Sequence, residues 1–175
     1  MSTRYWLGLG ANLGDRRAAL EAALAWLARA HRVEAVSALY ETAPREREDQ
    51  PAFLNAAARI SSVLAPPDLL RAVKRLERDL GRRPGGVRYG PRAIDCDLLL
   101  WAGGEWHDEA LDIPHPRLHE RRFALLPLLD LDPGMSLPDG RRLADLEAAL
   151  DPAAQPAERR PEPLARPEPV RGREL

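Results

Sequence analysis

The sequence predicts an α+β fold in which helices pack on an antiparallel sheet, and two observations support this prediction. Short apolar segments with strand-like alternation are separated by segments whose leucines recur at helical spacing. Their order along the chain is strand, helix, strand, strand, helix, strand. This βαββαβ order is that of the ferredoxin-like fold, with helices on one face of the sheet and additional C-terminal elements.

The first half of this core begins with an apolar segment, residues 5–10, that ends in glycines and is expected to be a strand. Asp15 is placed to cap the helix that follows. Residues 33–42 and 53–63 are predicted to be the second and third strands. The buried stripe of the first helix is predicted to be Leu20, Leu24 and Leu27.

The second half begins with a helix that Pro66 and Pro67 start and Gly81 ends. A glycine-containing loop then leads into an apolar strand that ends near Trp101. The pair Gly103–Gly104 predicts a hairpin turn toward a short strand near Trp106. Further on, we expect a helix over 120–126 that Pro127 stops and a last helix with Leu143, Leu146 and Leu150 on its apolar face.

Composition sets the broad class. The chain has 175 residues, 45% of them hydrophobic, which is enough for one domain with a buried core. A net charge of −1 gives no basic field for nucleic acid or an anionic membrane. The single cysteine excludes an intrachain disulfide and fits a cytoplasmic protein. We expect a domain over residues 1–150 and a disordered tail, rich in Pro, Arg and Glu, over 151–175.

Asp95 and Asp97 are the most informative pair in the sequence. Side chains alternate along a strand, so these two carboxylates share one face, and Cys96 between them points to the core. Two acids on an otherwise apolar strand need a partner, because burial of unpaired charge is costly. Arg92 and a divalent metal ion are both candidates, and a solvated strand face is the simple alternative.

Other segments add candidates that are weak when taken alone. The glycine-rich stretch 8–14 fits neither a dinucleotide-binding loop nor a P-loop, so a simple turn is favoured there. Phe53 and Asn55 share a strand face and suit a planar heterocycle, although Phe53 is equally acceptable in the core. His115 lies between prolines, and the arginines of the loop 82–92 suit phosphate binding or a solvated basic loop.

Together these segments resemble the 6-hydroxymethyl-7,8-dihydropterin pyrophosphokinase family. The most specific match is the run from Arg88 to Leu99, which reads Arg-Tyr-Gly-Pro-Arg-Ala-Ile-Asp-Cys-Asp-Leu-Leu. It is joined, in the family's order, by residues 8–15, 40–42, 49–57, Glu77, 80–82, 114–116 and 121–123. The resemblance covers about residues 4–150.

The resemblance implies transfer of pyrophosphate from ATP to the hydroxymethyl group of the dihydropterin, a step of tetrahydrofolate biosynthesis, by a monomeric enzyme. It implies that Asp95 and Asp97 hold two Mg²⁺ ions, and that Arg82, Arg92 and Asp97 are catalytic. ATP would be bound by Glu77, Arg88, Leu98, His115 and Arg121. The pterin would be bound by Thr42, Ala43, Phe53, Asn55 and Phe123, and the glycine loop would border this pocket.

Pro84 stands where some members of the family carry a further arginine, and the neighbouring Arg83 is the candidate replacement. Two rival functions remain open at the level of sequence. A palm-like nucleotidyl transferase also places paired acids on such a sheet, and would release pyrophosphate instead of AMP. A metabolite-binding module without chemistry would bind its ligand without dependence on magnesium.

Overall fold

The structure, a computed structural model, describes residues 1–44, 49–81 and 93–168. Its strands are β1 (Thr3–Ala11), β2 (Arg32–Val36), β3 (Tyr40–Thr42), β4 (Phe53–Ser62), β5 (Asp95–Trp101), β6 (Trp106–His107), β7 (Asp112–Ile113) and β8 (Ala157–Arg159). Its α-helices are α1 (Arg16–Leu27), α2 (Pro66–Asp79), α3 (Arg122–Leu131) and α4 (Leu143–Ala148). Among the residues described, no helix is both long and apolar enough to span a membrane.

The main sheet has the strand order β5–β1–β4–β3–β8, and its neighbouring strands are antiparallel. The predicted second strand is divided: β2 pairs with residues 58–61 of β4, and β3 pairs with residues 53–55. Ser37 lies between the two, where its hydroxyl accepts a hydrogen bond from the Ala57 N–H at 2.8 Å. With β2 and β3 in place of one strand, the predicted ferredoxin-like α+β fold is confirmed.

Helices cover both faces of the sheet, not one face as expected. Leu7 and Leu9 of β1 point toward α1 and α2 and belong to the larger buried cluster. The opposite face carries Ala57 of β4 and Leu99 of β5, which pack with apolar residues of α3 and α4. The C-terminal additions therefore complete the second layer of the core.

Helix α3 also corrects the prediction that Pro127 stops a helix at residue 126. The helix continues to Leu131 with Pro127 inside it. A proline at this position removes one backbone donor from the helix. Ala124, Leu125 and Leu128 are buried against the sheet, and this packing holds the helix together across the proline.

The prediction of a disordered tail is wrong for residues 151–168. Strand β8 pairs with β3, with Thr42 opposite Ala157 and Tyr40 opposite Arg159. Leu164 is only 6% exposed and packs in the larger core cluster. The average composition of the segment predicts disorder, but pairing with the edge of β3 and burial of Leu164 attach it to the domain. The domain therefore extends past residue 150.

We expect Leu164→Ala to lower the free energy of unfolding by about 2–3 kcal/mol, because it leaves a cavity in the main core. Chemical denaturation monitored by tryptophan fluorescence measures this change. The control is Val63→Ala, since Val63 is 70% exposed and its truncation should change stability by less than about 0.5 kcal/mol. Equal effects of the two substitutions would contradict the docking of this segment.

Candidate active site

A cavity of about 230 Å³ lies on the sheet face that carries the two aspartates. Its walls come from β1, β3, β4 and β5 and from the chain that leads into α3. It brings together nine of the residues predicted from the sequence: Thr42, Ala43, Phe53, Asn55, Asp95, Asp97, His115, Arg121 and Phe123. These residues are far apart in the chain, so the fold itself assembles the site.

The floor of the cavity is formed by Gly8 and Gly10 of β1, which pair with Asp97 and Asp95 of β5. A Cβ at Gly10 would come within 2.9 Å of the Asn55 Oδ1, and one at Gly8 within 3.1 Å of the Leu99 Cδ1. Glycine at these positions keeps open the space between the two walls. Gly8 and Gly10 therefore border the cavity.

Asp95 and Asp97 form the acidic wall of the cavity. Burial, and then the charge of Asp95, raise the pKa of Asp97 to about 6, while Lys74 and Arg121 oppose this shift. The Arg121 guanidinium lies 3.9 Å from the Asp97 carboxylate. Asp97 thus pays a desolvation cost that the surrounding cations only partly offset.

His115 and Arg121 lie on the same side of the cavity as the aspartates. Burial, together with the positive charges of Arg121 and Arg117, lowers the pKa of His115 to about 4. Its Nδ1 lies 3.1 Å from the backbone N–H of Arg117 and accepts a hydrogen bond from it. The ring is therefore neutral near pH 7, with its proton on Nε2, and can donate a hydrogen bond to an anion.

The rest of the cavity lining includes two aromatic rings and a buried amide. Phe53 and Phe123 line the cavity, and the Arg121 guanidinium lies 5.6 Å from the centre of the Phe123 ring. Asn55 is 6% exposed, and its Nδ2 donates a hydrogen bond to the Thr42 hydroxyl at 2.7 Å. This bond fixes the orientation of the amide, so the amide can form hydrogen bonds with the edge of a planar ligand.

The sequence reasoning missed Gln50, which also lines the cavity. Asn12 is 1% exposed, and its Nδ2 donates hydrogen bonds to the Gln50 side chain at 3.0 Å and to the Pro51 carbonyl at 3.2 Å. Asn12 thereby ties the glycine stretch to the segment before β4. The Asn beside the glycines and the Gln–Pro pair were the available indications of this contact.

Two predicted ATP-binding residues, Glu77 and Leu98, are not among the residues that line the cavity. Leu98 is buried in the core on the opposite face of β5. Glu77 is 1% exposed, and its Oε1 accepts a hydrogen bond from the Cys96 N–H at 2.9 Å. It therefore holds the backbone between the two aspartates. Arg82, Arg88 and Arg92 lie outside the described residues.

The donor set fits a magnesium ion that is shared with a ligand. Within the described part of the chain, no group of three or more His, Cys, Asp or Glu side chains is arranged to hold a metal. Mg²⁺ commonly takes only one or two carboxylates from the protein and completes its shell with water and phosphate oxygens. Asp95 and Asp97 meet this requirement. The fold and cavity define an α+β protein with an acidic pair in a cavity that is also lined by two phenylalanine rings and a buried amide.

Comparison with known proteins identifies the family to which the chain belongs. The model of the 7,8-dihydro-6-hydroxymethylpterin-pyrophosphokinase (HPPK) family matches residues 6–133. The chain belongs to this family, whose enzymes are pyrophosphokinases of folate biosynthesis. It is 41% identical over 151 residues to the 2-amino-4-hydroxy-6-hydroxymethyldihydropteridine pyrophosphokinase of Pseudomonas aeruginosa, covering 85% of this chain and 93% of that protein.

Larger proteins also contain a related region. The chain is 43% identical to the mitochondrial folate synthesis bifunctional protein of Pisum sativum over 126 residues, which are 71% of this chain but 24% of that protein. A crystal structure of Plasmodium falciparum HPPK-DHPS aligns with a TM-score of 0.69 and 16% identity, over 85% of this chain and 45% of that one. The chain therefore spans only a fraction of these longer relatives, and the structural match supports the fold.

We expect Asp97→Asn to stabilise the metal-free protein by about 1 kcal/mol at pH 7.5. The folded-state pKa of Asp97 is raised from 3.8 to about 6, so its protonated form stabilises the folded state. This contribution to the free energy of unfolding is fully present below pH 3.8 and is lost as the pH rises through 6. The side chain is 34% exposed, so solvent screening reduces the full effect. Urea denaturation measures the difference, and the same pair at pH 3.5 is the control. Lower stability of Asp97→Asn at pH 7.5 would contradict this electrostatic description.

We expect ¹⁵N NMR at pH 7 to show His115 as a neutral ring protonated on Nε2, because burial and two arginines disfavour the charged form. In the folded protein the ring should titrate near pH 4. In urea it should return to the ordinary pKa of about 6.5. A doubly protonated His115 ring at pH 7 would show that the described environment is wrong.

Proposed function

We propose that this chain transfers the pyrophosphoryl group of ATP to the hydroxymethyl oxygen of 6-hydroxymethyl-7,8-dihydropterin and releases AMP. The single observation that carries this proposal is the cavity in which Asp95 and Asp97 face Phe53, Asn55 and Phe123. Membership of the pyrophosphokinase family agrees with that chemistry. One of the family's two substrates is a polyanion, which would bind through metal ions at the acidic part of the cavity. The other is a planar ring, which would bind at the aromatic part.

The pterin site is proposed at the aromatic wall. Phe53 and Phe123 would sandwich the ring, and the oriented amide of Asn55 would bond its polar edge. Thr42 would act by holding that amide at 2.7 Å, and Ala43 would complete the wall. A ring held there would present its hydroxymethyl group toward the aspartates.

The phosphate chain is proposed to lie along the acidic side of the cavity. Asp95 and Asp97 would hold two Mg²⁺ ions there, and these would supply neutralisation of phosphate charge and polarisation of the transferred group. Arg121 and the neutral His115 would donate hydrogen bonds to phosphate oxygens. The proposal also assigns Glu77, Arg88 and Leu98 to ATP binding and Arg82 and Arg92 to the transferred group.

The transfer forms a bond from the hydroxymethyl oxygen to the β-phosphorus and breaks the bond from that phosphorus to the α,β-bridging oxygen, which leaves with AMP. The hydroxyl proton must be lost. Asp97 is the proposed acceptor, since its carboxylate lines the cavity beside the proposed position of the hydroxymethyl group. The positive side chains would then stabilise the charge that develops on the transferred group in the transition state.

We also propose that the protein acts as a monomer in the cytoplasm and that its catalytic domain comprises residues 1–150 with the docked segment up to 168. Cys96 is a buried free thiol, which agrees with a reducing compartment. The nucleotidyl transferase and the ligand-binding module are the alternatives that an assay must distinguish.

We expect ATP, magnesium and 6-hydroxymethyl-7,8-dihydropterin to give AMP and the pterin diphosphate in equal amounts. Phosphorus NMR and anion-exchange chromatography measure both products. Release of pyrophosphate would indicate the nucleotidyl transferase, and ADP would indicate transfer of a single phosphoryl group. Absence of any product would leave only the binding module.

The matched control for this assay is Asp97→Asn, which has the same size and should remain folded. It should lower kcat/KM by roughly a thousandfold or more, because it removes metal-held charge stabilisation. Near-normal turnover by this variant would overturn the assignment of Asp97.

A further inference from the structure

Gln155, in the segment expected to be disordered, contacts the backbone on both sides of a cavity residue. Its Nε2 donates a hydrogen bond to the Glu120 carbonyl at 3.1 Å, and its Oε1 accepts one from the Arg122 N–H at 3.0 Å. Arg121, between them, lines the cavity and faces Asp97. One side chain therefore holds the two backbone groups that flank Arg121.

Helix α3 needs this contact because its own N-cap residue is Arg121. Arginine carries no acceptor, so it cannot cap the first N–H groups of a helix as Ser, Asp or Asn does. Arg121 indeed makes no side-chain cap bond, and its backbone is extended, with φ −118° and ψ 93°. Gln155 supplies the missing acceptor from another segment, while the Arg121 side chain is directed at the site.

Gln155 is itself fixed by its surroundings. Its backbone N–H donates to the Asp151 carbonyl at 3.0 Å, and its own carbonyl accepts from the Arg122 guanidinium at 3.2 Å. The same guanidinium bonds the Glu147 carboxylate at 2.7 Å. These bonds connect residue 155, α4 and the start of α3. Gln155 is therefore held in place and can fix the position of the backbone around Arg121.

Arg121 and Phe123 both depend on this backbone. The two side chains contact each other, with the guanidinium 5.6 Å from the ring centre, and both line the cavity. We propose that Gln155 is a positioning residue, which sets the start of α3 so that Arg121 meets the phosphate chain and Phe123 the pterin ring. This inference rests on the proposed function for the identity of the two ligands.

The kinetic test is Gln155→Ala in the full chain. We expect KM for both ATP and the pterin to rise by roughly three- to tenfold, the size of effect that loss of a helix cap produces, with a smaller change in kcat. The control is Glu158→Ala, whose exposed side chain on β8 bonds Arg160 at 3.1 Å. It should leave both KM values unchanged. Unchanged KM values in Gln155→Ala would overturn the proposal.

A double-mutant cycle separates positioning from general stabilisation. If Gln155 acts on ATP through Arg121, Gln155→Ala should raise KM for ATP less than twofold when Arg121→Ala is already present. A full three- to tenfold rise in that background would overturn the proposal, because the effect would then bypass Arg121. If Gln155→Ala fails to fold, the same criteria apply to Gln155→Met, which keeps the length of the side chain and loses both bonds to the backbone around Arg121.

A readout without turnover distinguishes this inference from the proposed function. Hydrogen exchange of the Arg122 amide should be faster in Gln155→Ala than in the wild-type protein and unchanged in Glu158→Ala. An unchanged Arg122 exchange rate in Gln155→Ala would overturn the role of Gln155 whatever reaction the protein catalyses. If wild-type protein makes no AMP, the proposed function fails, while the exchange result still decides whether Gln155 holds this backbone.

Discussion

The partial burial of two like charges on one strand face is the constraint on which the rest of the site depends. Asp95 and Asp97 stand on the same face of β5, and burial together with the Asp95 charge raises the pKa of Asp97. An arrangement of this kind costs folding free energy and is retained only where neighbouring groups support it. Glu77 bonds the Cys96 N–H between the aspartates, and Arg121 faces Asp97. Glu77 thus holds the geometry of the pair, while the positive charges of Lys74 and Arg121 limit its electrostatic cost.

The support of this pair reaches far from the cavity. Placing Arg121 at the start of α3 leaves that helix without a side-chain cap of its own. Gln155 makes up for this from a segment that strand β8 and Leu164 attach to the sheet. The glycines of β1 give up side-chain packing for cavity space. Local stability is lost at residues that line the cavity and regained in elements that do not line it.

Much of this arrangement could be predicted from the sequence, because it depends on local rules. Alternation on β5 correctly placed the aspartates on one face and Cys96 in the core. Helical spacing predicted α1 and α2. The residues whose conformation or position depends on long-range contacts were the ones predicted wrongly or missed. Pro127 is held within a helix by packing, and Gln50 enters the cavity through a bond to Asn12.

The C-terminal segment shows why composition alone misleads at such positions. Composition averages over a stretch, whereas docking here depends on a few particular atoms: the backbone of β8, the Leu164 side chain and the two ends of the Gln155 amide. The edge of β3 and the N-terminus of α3 exist only after the rest of the chain has folded. The segment is therefore ordered by the domain it completes, and in return it supports the backbone that carries Arg121 and Phe123.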